Sequence, residues 1–205
     1  MDKPVAITSQ ATLAYYEKNA ASFWEATRDH DVTQNYQALL RALEGTAPFH
    51  ILDFGCGPGR DLAWFRNAGH VPVGLDGCAA FVEMARSYSQ CEVWQKDFLC
   101  LDLPPGHFDG IFANATLQHV PRARMPAVMK VLYESLKPRG VLFSSIPRGQ
   151  DQEGWSGGRY SCFYAWETFQ DLATGAGFLE EEHYYRPAGL PREQQPWLAS
   201  VWRRG

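Results

Sequence analysis

A chain of 205 residues with 45% hydrophobic and 20% charged residues has the size and composition of one globular domain with a full core, and excludes a disordered segment. The formal net charge of −4 argues against a nucleic-acid surface, which needs clustered Lys and Arg. No run reaches the roughly 20 apolar residues of a membrane helix, and Met1-Asp2-Lys3-Pro4 lacks a signal-peptide pattern, so a cytoplasmic protein without a membrane partner is expected.

In chain order, Leu13, Tyr16, Ala20, Phe23, Trp24 and Thr27 recur at three- and four-residue steps and predict a first helix. A second follows with Tyr36, Leu39, Leu40 and Leu43 on one side; Asp31 and Gln34 suit a capping box at its start and Gly45 a stop. From His50 the pattern becomes short apolar runs, Ile51–Phe54, Val71–Leu75, Glu92–Trp94, Phe108–Ala113 and Val141–Ser145. Between them, 61–68, 79–88 and 126–136 read as helices, the last with Val128, Val131, Leu132, Ser135 and Leu136 on one face. This alternation predicts parallel βαβ units. A helix over 163–174, stopped by Gly175 and Gly177, precedes two strands, 180–186 and 198–202, which lack an intervening helix and should pair antiparallel. Three parts of one domain are expected: a helical cap over 1–47, a core over 48–146, and a loop, helix and hairpin over 147–205.

Five cysteines without a C-x-x-C pair, and six histidines without a four-residue spacing, give no metal framework, and none is expected. The informative segment is Asp53-Phe54-Gly55-Cys56-Gly57-Pro58-Gly59-Arg60, where a buried strand meets three alternating glycines and then a helix. Glycine permits φ > 0 and close ligand approach, and the helix start offers unpaired N–H groups. A tight turn without a ligand is the plain alternative. Asp76 ends the second strand, where an acid can accept both hydroxyls of a ribose; its alternative is a helix cap. Asp97, followed by Phe98, ends the third strand and can meet an adenine amino group and ring. Three acids at successive strand ends favour a nucleoside site.

These segments, with Gly74-Leu75-Asp76, Asp97-Phe98, Phe108-Asp109-Gly110-Ile111 and Leu136-Lys137-Pro138-Arg139-Gly140, resemble the class I S-adenosylmethionine-dependent methyltransferases over roughly residues 48–202. The resemblance implies an α/β, Rossmann-like, seven-stranded, mostly parallel sheet with an antiparallel last strand and helices on both faces. It implies S-adenosylmethionine as cofactor, with Asp53, Gly55 and Gly57 by the methionine part, Asp76 by the ribose, Asp97 and Phe98 by the adenine, Cys56, Gly59 and Gly77 also among the cofactor-binding residues, and Asn114 at the transfer site. Arg139 departs from the glycine usual there. A dehydrogenase on the same scaffold would carry G-x-G-x-x-G and a second phosphate loop.

Methyl transfer from a sulfonium works largely by alignment of donor and acceptor, so a catalytic residue is hard to name. His119, after strand four, is the candidate base, or else an acceptor-positioning or packing residue. The polar, glycine-rich stretch 148–160, with Arg148, Trp155, Arg159 and Tyr160, reads as an acceptor lid or as a solvated loop. Tyr184 and Tyr185 should face opposite sides of a strand, one at the core and one exposed or at the site. Tyr16 and Trp24, with Tyr15 and Arg28, lie on helix faces that can close over the cofactor. Aromatics with arginines suit a small acceptor with a carboxylate and a flat or cationic body, such as an amino-acid derivative. The 154–160 and 184–187 segments also resemble methyltransferases acting on thio- or selenohistidine-type metabolites. A non-catalytic binder of the cofactor is the second reading, and a monomer or small homo-oligomer is expected.

Overall fold

The buried apolar runs become strands because both sheet faces are covered, and that coverage makes them nearly continuous in hydrophobicity. The structure, a computed structural model, describes residues 3–205, with side chains from Thr8 onward; the N-terminal reading that rested on Met1 and Asp2 lies outside them. In chain order the elements are α1 (Lys3–Thr27), α2 (Thr33–Ala42), β1 (His50–Phe54), α3 (Arg60–Asn67), β2 (Val71–Asp76), α4 (Ala79–Ser89), β3 (Glu92–Gln95) and β4 (Phe108–Asn114). They continue with α5 (Met125–Ser135), β5 (Leu136–Pro147), β6 (Gln152–Ser156), β7 (Arg159–Phe163), α6 (Trp166–Gly175), β8 (Phe178–Arg186) and β9 (Trp197–Arg204).

Seven strands form one sheet in the order β3-β2-β1-β4-β5-β9-β8. β9 runs antiparallel to both β5 and β8, and the pairs among β1 to β5 are parallel. The expected α/β sheet with an antiparallel last strand is therefore the observed one. Alternate residues feed two cores. Leu52, Phe54, Leu142 and Trp202 pack with Val128, Leu132 and Phe169 of α5 and α6. Ile51, Phe112, Phe143 and Val201 pack with Tyr36, Leu39 and Phe65 of α2 and α3. Chain order reverses about β1, which pairs with β2 on one side and β4 on the other. A crevice opens at the carboxyl ends of the strands at such a point.

Four local expectations differ. The Asp31–Gln34 box does not form: Val32 precedes the helix, and Asp31 Oδ1 instead accepts the Thr33 N–H at 2.9 Å. Helix α2 ends at Ala42, before Gly45. Leu136 opens β5 instead of closing α5, and Met129, not Val131, completes the buried face of that helix. Residues 152–163 are a hairpin and not a loop, so α6 starts only at Trp166. Its turn is Gly157-Gly158, with φ of 56° and 81°, the left-handed pair a two-residue hairpin turn requires. Arg139 also takes a positive φ, 63°, which explains the glycine usual there, and Glu44 accepts bonds from its guanidinium.

Candidate functional site

The glycine turn is pinned to β2, because Gly55 and Cys56 both donate N–H bonds to the Leu75 carbonyl, at 2.7 and 3.1 Å. Its three glycines do different things. A Cβ on Gly55 would stand 2.3 Å from the Thr116 side chain, and one on Gly59 2.8 Å from the Ala85 Cα. Those two permit close packing. Gly57, φ 51°, has only a Phe23 ring atom at 3.8 Å; the space before it belongs to a cavity of about 670 Å³. Gly77 likewise lets α1 approach, since its Cβ would meet Leu13 at 2.8 Å.

The cavity lies at the crevice, roofed by α1. Its wall includes Gly55, Cys56, Gly57, Asp76, Phe98, Asn114, His119, Tyr16, Trp24 and Arg159. Asp76 is buried at the end of β2; its Oδ2 accepts from Gly57 N–H at 3.0 Å and its Oδ1 from Cys78 N–H at 2.9 Å. It thus ties the glycine turn to the residue that precedes α4, whose first N–H groups, of Ala79 and Ala80, go to Glu17 instead, and it faces the cavity at once. Burial pushes its pKa up to about 6, against the pull of those N–H groups. Asp53, Asp97, Gly59 and Gly77 are off the wall. Asp97 accepts from Ser9 Oγ on both oxygens at 3.1 Å, which ties α1 to β3, while Phe98 packs on Phe54 at 4.5 Å. Asp53 is fully buried, its Oδ2 has no partner, and burial and the nearby Asp61 hold its pKa well above the ordinary value.

Behind the glycine turn, the cavity floor is a polar network that the sequence did not reveal. Asp61 pairs with Arg60 at 2.7 Å and accepts from Tyr36 Oη at 2.5 Å. Asn114 Nδ2 lies 3.4 Å from Asp61 Oδ2, and its Oδ1 accepts from Asn35 Nδ2 at 3.0 Å. Tyr184 Oη donates to Asn35 Oδ1. Asn114 is therefore held from both sides. Arg60-Asp61 directly after the turn was the available signal, since an acid in a first helical turn suits the helix dipole.

His119 has both ring nitrogens engaged. Nδ1 lies 2.8 Å from the Tyr160 carbonyl, which only accepts, so Nδ1 carries the proton and Nε2 accepts from Tyr16 Oη at 2.8 Å. Burial lowers its pKa to about 4. Arg159 Nη1 donates to Tyr16 Oη at 3.3 Å, and its guanidinium lies over the Tyr15 and Tyr16 rings. Tyr160 N–H donates to Thr12 Oγ1, so the β6–β7 hairpin is latched to α1.

Arg148, Trp155, Tyr160 and Tyr185 do not reach the wall. Arg148 donates to the Gln195 and Arg192 carbonyls and lies over Tyr185, which fixes the segment before β9. Tyr184 and Tyr185 are both half-buried, against opposite cores. Trp155 is 54% exposed, its edge against Tyr160, and Arg28 is exposed and paired with Glu25. Trp155→Ala should consequently leave cofactor affinity and acceptor kcat/KM within about twofold of wild type. A larger loss of kcat/KM would place the indole against the acceptor.

The residues fit the cofactor that the resemblance implies. A cradle before Gly57, an acid at the end of β2 and an aromatic beside Asp97 share one cavity, whose volume lies in the range of small-molecule sites. Among the described residues no cluster could hold a metal ion, and no helix is long and apolar enough to cross a membrane.

Residues 51–140 match a family model described as a methyltransferase domain. An 18S rRNA (guanine-N(7))-methyltransferase of Schizosaccharomyces pombe is 28% identical over 144 residues, 62% of this chain and 53% of its own length. A trans-aconitate 2-methyltransferase of Paracidovorax citrulli is 32% identical over 124 residues, 58% of this chain and 47% of its own length. The chain spans about half the length of these curated relatives. The fold matches that of the Burkholderia thailandensis 1,6-didemethyltoxoflavin-N1-methyltransferase, solved with its substrate and S-adenosylhomocysteine, at a TM-score of 0.78 and 18% identity, covering 99% of this chain and 92% of that one.

Proposed function

We propose, from the methyltransferase-domain match over residues 51–140 and the shared fold, that this chain is a class I S-adenosylmethionine-dependent methyltransferase that transfers the cofactor's methyl group to a small-molecule acceptor. The observation that carries the reading is one cavity joining the Gly57 cradle and Asp76 to the Tyr16–His119–Arg159 group. Trans-aconitate and 1,6-didemethyltoxoflavin, named for two of the similar proteins, are small molecules. The rRNA of the third would need a basic surface, for which a net charge of −4 gives little support. Amino-acid-derived acceptors, thio- and selenohistidine among them, are the first to screen.

S-adenosylmethionine, when bound, supplies a methyl group already activated on a sulfonium. The chain's own part is to bind and align. Asp76 would accept the ribose hydroxyls, Gly57 would leave room for the methionine portion, and Phe98 would pack on the adenine. Asn114, clamped by Asn35 and Asp61, gives the transfer region a fixed carboxamide. The roof formed by α1 excludes water. His119, neutral and already accepting from Tyr16, does not present a free nitrogen to the acceptor; it orients the Tyr16 phenol. His119→Ala should therefore lower kcat by about tenfold, short of the 10²–10⁴ typical of a lost general base. A loss of ~10³ or more would make His119 the base. The reading as a whole is tested by S-adenosylhomocysteine release with the acceptor panel. Tight cofactor binding without turnover on any acceptor would favour a non-catalytic binder.

A further inference from the structure

The cavity wall carries three arginines, and their partners differ. Arg60 is paired with Asp61, and Arg186 donates to the Asp31 carbonyl at the rim. Arg159 has one hydrogen bond, to Tyr16, and a buried Nε without a partner; among the described residues it has no ion pair. The acids that line the cavity are committed elsewhere. Asp61 takes Arg60 and Tyr36, Asp76 takes two backbone N–H groups, and Asp31 takes the Thr33 N–H. A partly buried guanidinium with most of its five N–H donors unused is costly until an anion satisfies it.

Its surroundings decide the geometry of that anion. The guanidinium is fixed over the Tyr15 and Tyr16 rings at 5.3 and 5.6 Å, so its fork is oriented before a ligand arrives. A planar fork suits the two-oxygen edge of a carboxylate. The cavity wall also carries the aromatics Tyr16, Phe23, Trp24 and Trp197, which suit a flat body. Arg159 belongs to the β6–β7 hairpin, outside the sheet whose strand ends carry Gly57 and Asp76. It reaches the cavity wall beside Tyr16 and His119.

We propose that Arg159 anchors the carboxylate of a flat, anionic methyl acceptor beside the Tyr16–His119 pair. The proposal rests on the methyltransferase reading and narrows its acceptor. A neutral or cationic acceptor would leave the guanidinium without a counter-charge, so the same residue selects against it. The carboxylate is the anchor, and the methyl-accepting atom lies elsewhere on the molecule. The cofactor's own carboxylate is the other source of the same chemistry.

The test uses protein saturated with S-adenosylhomocysteine and three flat acids, benzoate, indole-3-acetate and quinaldate, each against its carboxamide. Binding is read from the fluorescence of the wall tryptophans and by calorimetry. At least one acid is expected to bind about tenfold or more tighter than its amide, a preference that Arg159→Gln removes and Arg159→Lys keeps in part. S-adenosylhomocysteine affinity should stay within about twofold in both variants. Equal binding of acids and amides, no binding of any acid up to ~10 mM, or an unchanged preference in Arg159→Gln overturns the proposal. Loss of S-adenosylhomocysteine affinity in Arg159→Gln overturns it too, by giving the guanidinium to the cofactor. Failure of the wild-type chain to bind S-adenosylhomocysteine at all would instead sink the methyltransferase reading beneath it.

Discussion

Gly57→Val is expected to abolish S-adenosylhomocysteine binding in a protein that still folds. Gly57 has φ 51°, and a Cβ there meets nothing in the chain closer than Phe23 at 3.8 Å. A β-branched residue in that conformation costs roughly 1–3 kcal/mol of strain, which a domain of this size survives. The isopropyl group, however, would fill the cavity before Gly57, where the proposed cofactor would lie, and steric exclusion should weaken binding by at least about a hundredfold. Gly55→Ala is the contrast, because its Cβ would stand 2.3 Å from the Thr116 side chain. That variant should lose stability first. Calorimetry and thermal unfolding on both variants separate the effects, and wild-type affinity in Gly57→Val would make the turn a purely structural one.

Asp76→Ala should weaken S-adenosylhomocysteine by about tenfold or more, since hydrogen bonds to a charged group contribute roughly 1.5–3 kcal/mol each. The carboxylate also accepts from Gly57 and Cys78 N–H, so Asp76→Asn, which keeps an acceptor, is the milder companion. The pH dependence gives a sharper signature. With its pKa raised to about 6 by burial, Asp76 is ionised above that pH, and only the ionised form accepts both ribose hydroxyls. Affinity should be full above pH 6 and fall as the pH drops through it. The linkage to stability has the opposite sign. The folded pKa exceeds the ordinary carboxylate value because of burial, so the ionised form is the costly one, and the Asp76 contribution to stability improves as pH falls from above 6 towards 4. Affinity that is flat between pH 5 and 7.5, or equally pH-dependent in Asp76→Asn, would remove Asp76 from the ribose role.

The sheet could be read from the sequence because its determinants are local. Ile51–Phe54 running into Gly55, and Val73–Leu75 running into Asp76, mark strand ends by residue type alone, and the chain order of five such units leaves few topologies. Of the Asp97–Phe98 pair, Phe98 lines the cavity, whereas Asp97 holds Ser9 of α1, a contact no local pattern announces. The β6–β7 hairpin has its own signal in Gly157-Gly158 between two five-residue runs, but its polar, glycine-rich composition fits a loop equally well. Tyr16, His119 and Arg159 are each candidates by residue type and position, but their meeting in one group is not legible locally. Tyr16 and His119 lie 103 residues apart, and what joins them is α1 folding over the crevice and the hairpin turning back to it. Asn35, Tyr36 and Asp61 meet at Asn114 for a similar reason, with α2 packed on the sheet face beside β4 and β5. Tertiary packing, not local propensity, builds this part of the cavity wall.

The most direct test of the account is an experimental structure with S-adenosylhomocysteine bound. Its ribose hydroxyls should lie at about 2.6–3.2 Å from the Asp76 carboxylate, with the homocysteine portion against Gly57. The sulfur should open towards the space bounded by Asn114, Tyr16 and Arg159. A ligand bound outside this cavity, or a cavity still empty at saturating S-adenosylhomocysteine, would contradict it.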